Sequence, residues 1–272
     1  MKNNLPSTRC FNKTIPRFPR LRFISIFVVS LIFAKGNILA QSLEKSRNFH
    51  FDGTITATNN GISIIPSFNL GRPAAFFDLS IGGERFSFDP MLRFGMDGKP
   101  WTFVLWGRYK IIKDKRFSLT IGGHPAFLFQ EVDMTVNGKP EKMHLTNRYL
   151  AGEINTSYQV TKKLSTGIYF LTGAGIQVIG AKNSNFLAWN TVISDIKLVN
   201  DFKLKINPQL FYLNVDRADG FYINSGFTFS KGETPIQMQA FFNQKIKSQV
   251  PGDDLVWNLS LLYNFSNNFV RK

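Results

Sequence analysis

The sequence predicts an all-β protein: a single antiparallel transmembrane β-barrel of about 12 strands, with roughly 10–14 compatible with the pattern. Three observations carry this. Apolar and polar residues alternate with a period of two in segment after segment, which is the side-chain period of a strand. The links between those segments alternate between short and longer ones. Charged residues recur in mid-strand on the polar faces, while aromatic residues gather near the ends of the apolar faces.

Composition leaves room for this architecture. The 272 residues suffice for one large domain, and 43% are apolar, so the chain can fold. Phenylalanine is frequent, at 28 residues, which a wall facing lipid can use without a core. No run approaches the roughly 20 apolar residues of a spanning helix. Of the net charge of +15, seven positive charges lie within residues 1–40, so the rest is only moderately basic. No zinc-finger, helix-turn-helix or RNA-binding pattern and no dense basic stripe is present, so no nucleic-acid partner is expected.

Residues 1–40 read as a cleaved secretory signal. Lys2 to Arg22 is a basic region, "FISIFVVSLIFA" (23–34) is a short apolar run, and Ala40 offers a small residue at the cut. Cys10 precedes the apolar run, so it is not placed for lipid attachment, and the exported chain has no cysteine. Residues 41–60 read as a periplasmic or lumenal segment. Within them "FHFDGTITAT" (49–58) has strand character, but it would make a thirteenth strand and break the even count of a barrel.

The barrel is expected over 61–266, with a short tail at 267–272. Its strand segments begin with "GISIIPSFN" (61–69) and "AAFFDLSI" (74–81). Gly82-Gly83, a favoured hairpin turn, leads into "ERFSFDPMLRFG" (84–95). "WTFVLWGRYKI" (101–111) and "RFSLTI" (116–121) flank the link at 113–115, and a long loop is expected over about 127–146. "RYLAGEINTSYQV" (148–160) and "LSTGIYFLTG" (164–173) flank 161–163, and "FLAWNTVISDIKLV" (186–199) and "FKLKINPQLFYL" (202–213) flank Asn200-Asp201. "GFYINSGFTF" (220–229), "PIQMQAFFNQKI" (235–246) and "LVWNLSLLYNF" (255–265) complete the series. Pro66, Pro90 and Pro208 fall inside these patterns, where a missing ladder donor must be absorbed.

Placing the apolar faces against lipid turns the polar faces inward. The expected lumen-lining residues are Arg85, Asp89, Arg93, Arg108, Lys110, Glu153, Asp195, Lys197, Lys203, Lys205 and Lys245, with Asp78 beside them. Eight of these are basic against four acidic, so a net basic lumen favouring small anionic solutes is expected wherever a path is continuous. The same charges could instead pair across the interior and close it. Trp101, Tyr109, Tyr212, Phe221, Trp257 and Phe265 would form girdles at the two interfaces.

No catalytic set stands out. The histidines are His50, His124 and His144, and the last two flank or lie in the expected 127–146 loop. There is no G-x-S-x-G elbow and no His or Cys cluster for a metal, so no cofactor, metal or enzymatic activity is expected.

The last strand pattern resembles the C-terminal assembly signal of Gram-negative outer-membrane barrel proteins. Trp257, Leu259, Leu261, Tyr263 and Phe265 match its alternating apolar positions and terminal aromatic residues. The chain departs from that signal in continuing to Lys272. The resemblance implies a porin-like barrel in the outer membrane, in contact with its lipid and lipopolysaccharide and inserted by the barrel assembly machinery. Two other readings stand beside a channel or structural barrel: a lipid-modifying outer-membrane enzyme, and a secreted soluble β-sandwich. The facing of Trp257 and Leu259 separates the last from the rest.

Overall fold

The computed structural model describes residues 48–136, 139–177 and 180–270; the expected signal segment 1–40 lies outside them. Twelve strands close into one antiparallel barrel. They are β1 (Asn48–Thr58), β2 (Ala74–Gly82), β3 (Phe86–Gly95), β4 (Pro100–Lys113), β5 (Phe117–Val136) and β6 (Lys139–Gln159). β7 (Leu164–Gly175), β8 (Asn183–Lys197), β9 (Phe202–Val215), β10 (Ala218–Lys231), β11 (Ile236–Ser248) and β12 (Leu255–Val270) complete it. Each strand pairs with its sequence neighbours, and β1 pairs with β12 to close the ring.

Four expectations are corrected by the strand pairing. The segment at 49–58 is the first barrel strand, paired with β2 on one side and β12 on the other. The pattern at 61–69 is the false strand, because Pro66 nucleates a 3-10 turn at Pro66–Phe68 where a ladder would need its missing N–H. The stretch 267–270 is part of β12, running from Asn267 opposite Phe51 to Val270 opposite Asn48. The expected loop at 127–146 is also paired, from Leu128 opposite Asn147 to Val136 opposite Lys139, so β5 and β6 form one long hairpin.

The links explain the antiparallel order. On the rim that carries both ends of the barrel sheet, three or four residues join the strands, at 83–85, 114–116, 160–163, 198–201 and 232–235. In the β8–β9 link Asn200 and Asp201 both take positive φ (53° and 62°), the backbone a tight hairpin turn demands and that Asn and Asp tolerate. The other rim carries the 15-residue β1–β2 segment (59–73) and the β7–β8 and β11–β12 loops.

Prolines inside strands sit where the ladder is already interrupted. Pro90 lies at the gap between the Asp78–Met91 and Ile81–Phe88 pairs. Pro208 lies between Asn190–Gln209 and Ile193–Ile206, and Pro125 between Val104–Ala126 and Gly107–Gly123. Each ring removes a donor on one side only, so pairing with the opposite neighbour persists.

The alternation of β12 resolves the facing. Leu255, Trp257, Leu259, Leu261 and Tyr263 are about half exposed, whereas Val256, Asn258 and Ser260 between them are buried. The same outward apolar face recurs around the wall in Ile55, Ile121, Ile154, Ile168, Leu210, Ile223 and Met238. Phe86, Tyr109, Tyr158, Phe202 and Phe229 are exposed toward the short-turn rim, and Phe221 and Trp257 toward the other. A soluble sandwich would hide this face in a core; here it is the outer surface. Trp101 leaves the expected girdle. It is the extra residue of a bulge between the Arg93–Thr102 and Phe94–Pro100 pairs, and its side chain is buried.

The hydrophobic core is therefore small and lies within the barrel, near the loop rim. Phe186, Ala188, Phe211, Leu213 and Tyr222 line the wall of β8–β10, and Val250 and Ile65 pack on them from the loops. Phe211 stacks on Tyr222 at 4.9 Å with an interplanar angle of 6°.

Candidate functional site: the barrel lumen

The β1–β2 segment turns into the mouth of the barrel rather than outward. Trp101 donates its Nε1–H to the Phe68 carbonyl at 3.0 Å, and the Phe68 ring lies 5.4 Å from that of Tyr149 on β6. Ile65 rests on the aromatic wall of β8–β10. The segment is thus held from several sides of the barrel by apolar contact and by hydrogen bonds, those of Asn59 and Asn60 to β12 among them.

Beneath it lies a cavity of about 650 Å³. Its walls are largely apolar, with Phe76, Val104, Trp106, Phe186, Phe211 and Phe241 among the lining residues. Asp78, Arg93, His124, Asn243 and Asn258 bring polar atoms to it. A second cavity of about 500 Å³ shares Thr54, Asp78, Met91 and Arg108 with the first and reaches Asp52, Ser80 and Asp89 toward the short-turn rim.

Arg108 lines both cavities and organises one wall. Its Nε–H donates to Glu153 Oε1 at 2.6 Å and an Nη1–H to Asp89 Oδ2 at 2.9 Å. The guanidinium lies 4.3 Å from the Trp106 ring centroid, a cation–π contact. Arg108 on β4 reaches Glu153 on β6 across β5, where Gly122 leaves the room: a Cβ there would come within 2.8 Å of Glu153 Oε1. Glu153 accepts a second bond from the Tyr169 hydroxyl (2.7 Å), and Asp89 accepts from Ser80 (2.6 Å) and Ser87 (3.1 Å). Both carboxylates are buried, so such charge-assisted bonds are what makes their burial tolerable.

The opposite wall is neutral. Gln209 on β9 donates to the Asn190 side chain on β8 and accepts from Asn224 Nδ2 on β10 at 2.6 Å. Gln239 donates to Thr228 Oγ1 (3.1 Å) and Thr54 to Asn264 Oδ1 (2.7 Å).

Set against expectation, Asp89, Arg93, Arg108 and Glu153 meet in the lumen or line its cavities, with Asp78 beside them. Lys110, Lys203 and Lys205 occupy lumen-facing register positions but lie exposed near the short-turn rim, and Lys197 pairs with Lys203 at the end of β8. Asp195 is displaced by the β8 bulge, has φ of 54° and faces Lys203 Nζ at 3.7 Å. Lys245 is near the loop rim, bonded to Asp254 Oδ1 at 2.9 Å. Arg85 is in the β2–β3 turn, where it donates to the carbonyls of Lys110 and Ile111 outside the lumen. Lys110, Lys197, Lys203 and Lys205 thus stand near the short-turn rim, and the deep charges are Arg93 and Arg108 against Asp78, Asp89 and Glu153. Lysine stems are long, and a position near a strand end lets the ammonium stay in water.

Three lumen residues escape the sequence reading. His124 is a strand residue whose ring packs edge-on to Trp106 at 4.0 Å, because the ladder runs on past it. Tyr169 and His50 join the polar wall, His50 through Nε2 to Ser80 Oγ at 3.0 Å. Their inward parity is visible in sequence only once the strand register is known. Trp257, Leu259, Leu261, Tyr263 and Phe265 share the outward parity of β12, and Phe265 packs on Phe51 of β1 at 5.3 Å.

The chain has the fold of an outer-membrane β-barrel. No protein-family model matches it, and no curated protein does. Among solved structures it is similar to the NanC porin, at 13% identity and a TM-score of 0.44, covering 81% of this chain and 100% of that one. It is also similar to the β domain of the Bordetella autotransporter BrkA (10%, 0.43, 80% and 98%) and to OmpT of Vibrio cholerae (8%, 0.41, 82% and 99%). At these identities and scores the likeness is one of barrel form and transfers neither substrate nor activity.

Proposed function

We propose that the protein is a porin-like channel of the outer membrane, passing small solutes through a lumen narrowed by the inward β1–β2 segment. The observation that carries this reading is the pair of cavities that have the lumen residues Thr54, Asp78, Met91 and Arg108 in common. A purely structural barrel of this size has no need of such a volume, since side chains could fill it. The exposed Lys110, Lys197, Lys203 and Lys205 at the short-turn rim give that mouth a preference for anions, whereas the deep wall carries paired charges. The outward face of β12 suits the lipid contact and assembly role that its signal-like sequence implies, with lipid and lipopolysaccharide as surroundings.

The same reading assigns no catalysis. His50, Ser80 and Asp89 are in contact, but the serine hydroxyl donates to the carboxylate, so the imidazole can only donate to Ser80 Oγ. A nucleophilic serine needs the reverse, with its proton handed to the imidazole.

Planar-bilayer recording of the purified chain is expected to show discrete conductance steps in KCl. Replacing residues 62–69 by a short Gly-Ser link is expected to raise them severalfold, because the constriction is removed. Silence from both proteins would overturn the channel reading.

A further inference from the structure

The cavity under the β1–β2 segment has a chemistry of its own, distinct from that of the charged wall. Asn243 on β11 and Asn258 on β12 line it and are 5% and 6% exposed. The side-chain oxygen of each is buried without a hydrogen-bond partner. For Asn258 the amide orientation is fixed, since its Nδ2–H donates to the Asn60 carbonyl at 3.1 Å and leaves Oδ1 turned away from that bond. Two buried carbonyl oxygens on neighbouring strands of a largely apolar chamber are costly unless something donates to them.

We infer that this chamber binds an uncharged amphipathic solute, with an aromatic or other apolar ring body and at least one hydroxyl or amine donor directed at Asn243 and Asn258. The inference rests on the channel reading and names the class of solute it carries. Phe76, Trp106, Phe186, Phe211 and Phe241 supply ring faces and edges for the body. A volume of about 650 Å³ is of the size that holds small organic ligands. A carboxylate has acceptors only and cannot satisfy an amide oxygen. Of the ionised groups at the cavity, Arg108 is held by Asp89 and Glu153, and Arg93 and Asp78 sit on adjacent strands with opposite charges, which leaves no surplus of positive charge for an anionic ligand.

The test uses the full chain in lipid nanodiscs, with empty nanodiscs as blank, titrated calorimetrically with 1-naphthol, naphthalene and 1-naphthoate. The natural chain is expected to bind 1-naphthol, and 1-naphthoate at least tenfold more weakly. Asn243→Leu with Asn258→Leu is expected to weaken 1-naphthol roughly tenfold while leaving naphthalene within about twofold. Ala126→Phe, which fills the chamber from another wall, is expected to abolish binding of both neutral compounds, and it serves should the asparagine pair be needed for folding. Equal effects of the asparagine changes on both neutral compounds, binding unchanged by Ala126→Phe, or 1-naphthoate binding as tightly as 1-naphthol would each overturn the inference. Conductance in KCl is read separately: conduction without this binding overturns the inference alone, and binding without conduction overturns the channel reading alone.

Discussion

Arg108 on β4 and Gln209 on β9 do the same mechanical task on different walls of one barrel. Each sits on the lumen face and ties two partners from other strands. Arg108 does so with a formal charge, between two buried carboxylates, one of them beyond the adjacent strand. Gln209 does so with a neutral amide, between two immediate neighbours. The difference teaches what each wall can lose. Removing a neutral bridge leaves two amides that can turn toward water or each other. Removing the charged bridge leaves two buried carboxylates without their shared counter-charge.

The sharpest way to break the comparison is to make one change at both places. Arg108→Met is expected to destabilise the barrel by about 3–5 kcal/mol, the cost of uncompensated buried charge. Gln209→Met is expected to cost about 1 kcal/mol, the net worth of a typical hydrogen bond. Urea unfolding of the refolded proteins in the same detergent reads both, and equal costs would erase the distinction between the walls. The smallest effect on stability is expected from Lys203→Gln with Lys205→Gln, since both side chains are exposed near the rim. That pair should instead move the reversal potential toward cations at about 0.1 M salt and lose the effect near 1 M, where screening is short-ranged.

The lumen residues also differ in how far sequence exposes them. Asp89, Arg93, Arg108 and Glu153 are charges within alternating patterns, so their inward placement follows from parity alone. His124 is not, because Phe127-Leu128-Phe129 has no polar partner to carry the period onward, and the region reads as a loop. The lysines mislead in the opposite sense. Parity gives their face, but depth along the strand decides whether they line a pore or lie in water at its mouth, and parity contains no depth.

Sequence by itself determined most of the strands, their outward and inward faces, the short turns such as Asn200-Asp201 and the lipid-facing side of "LVWNLSLLYNF". These follow from the period-two geometry of an extended backbone and from local turn preferences, both of which act within a few residues. Only the tertiary structure decided that residues 48–58 are the first strand and 61–69 are not. It alone brought Asn48 opposite Val270, let Gly122 open the way from Arg108 to Glu153, and folded the β1–β2 segment over an aromatic chamber. Those outcomes depend on register and closure among residues up to about 220 positions apart, and no local preference records which of them will meet.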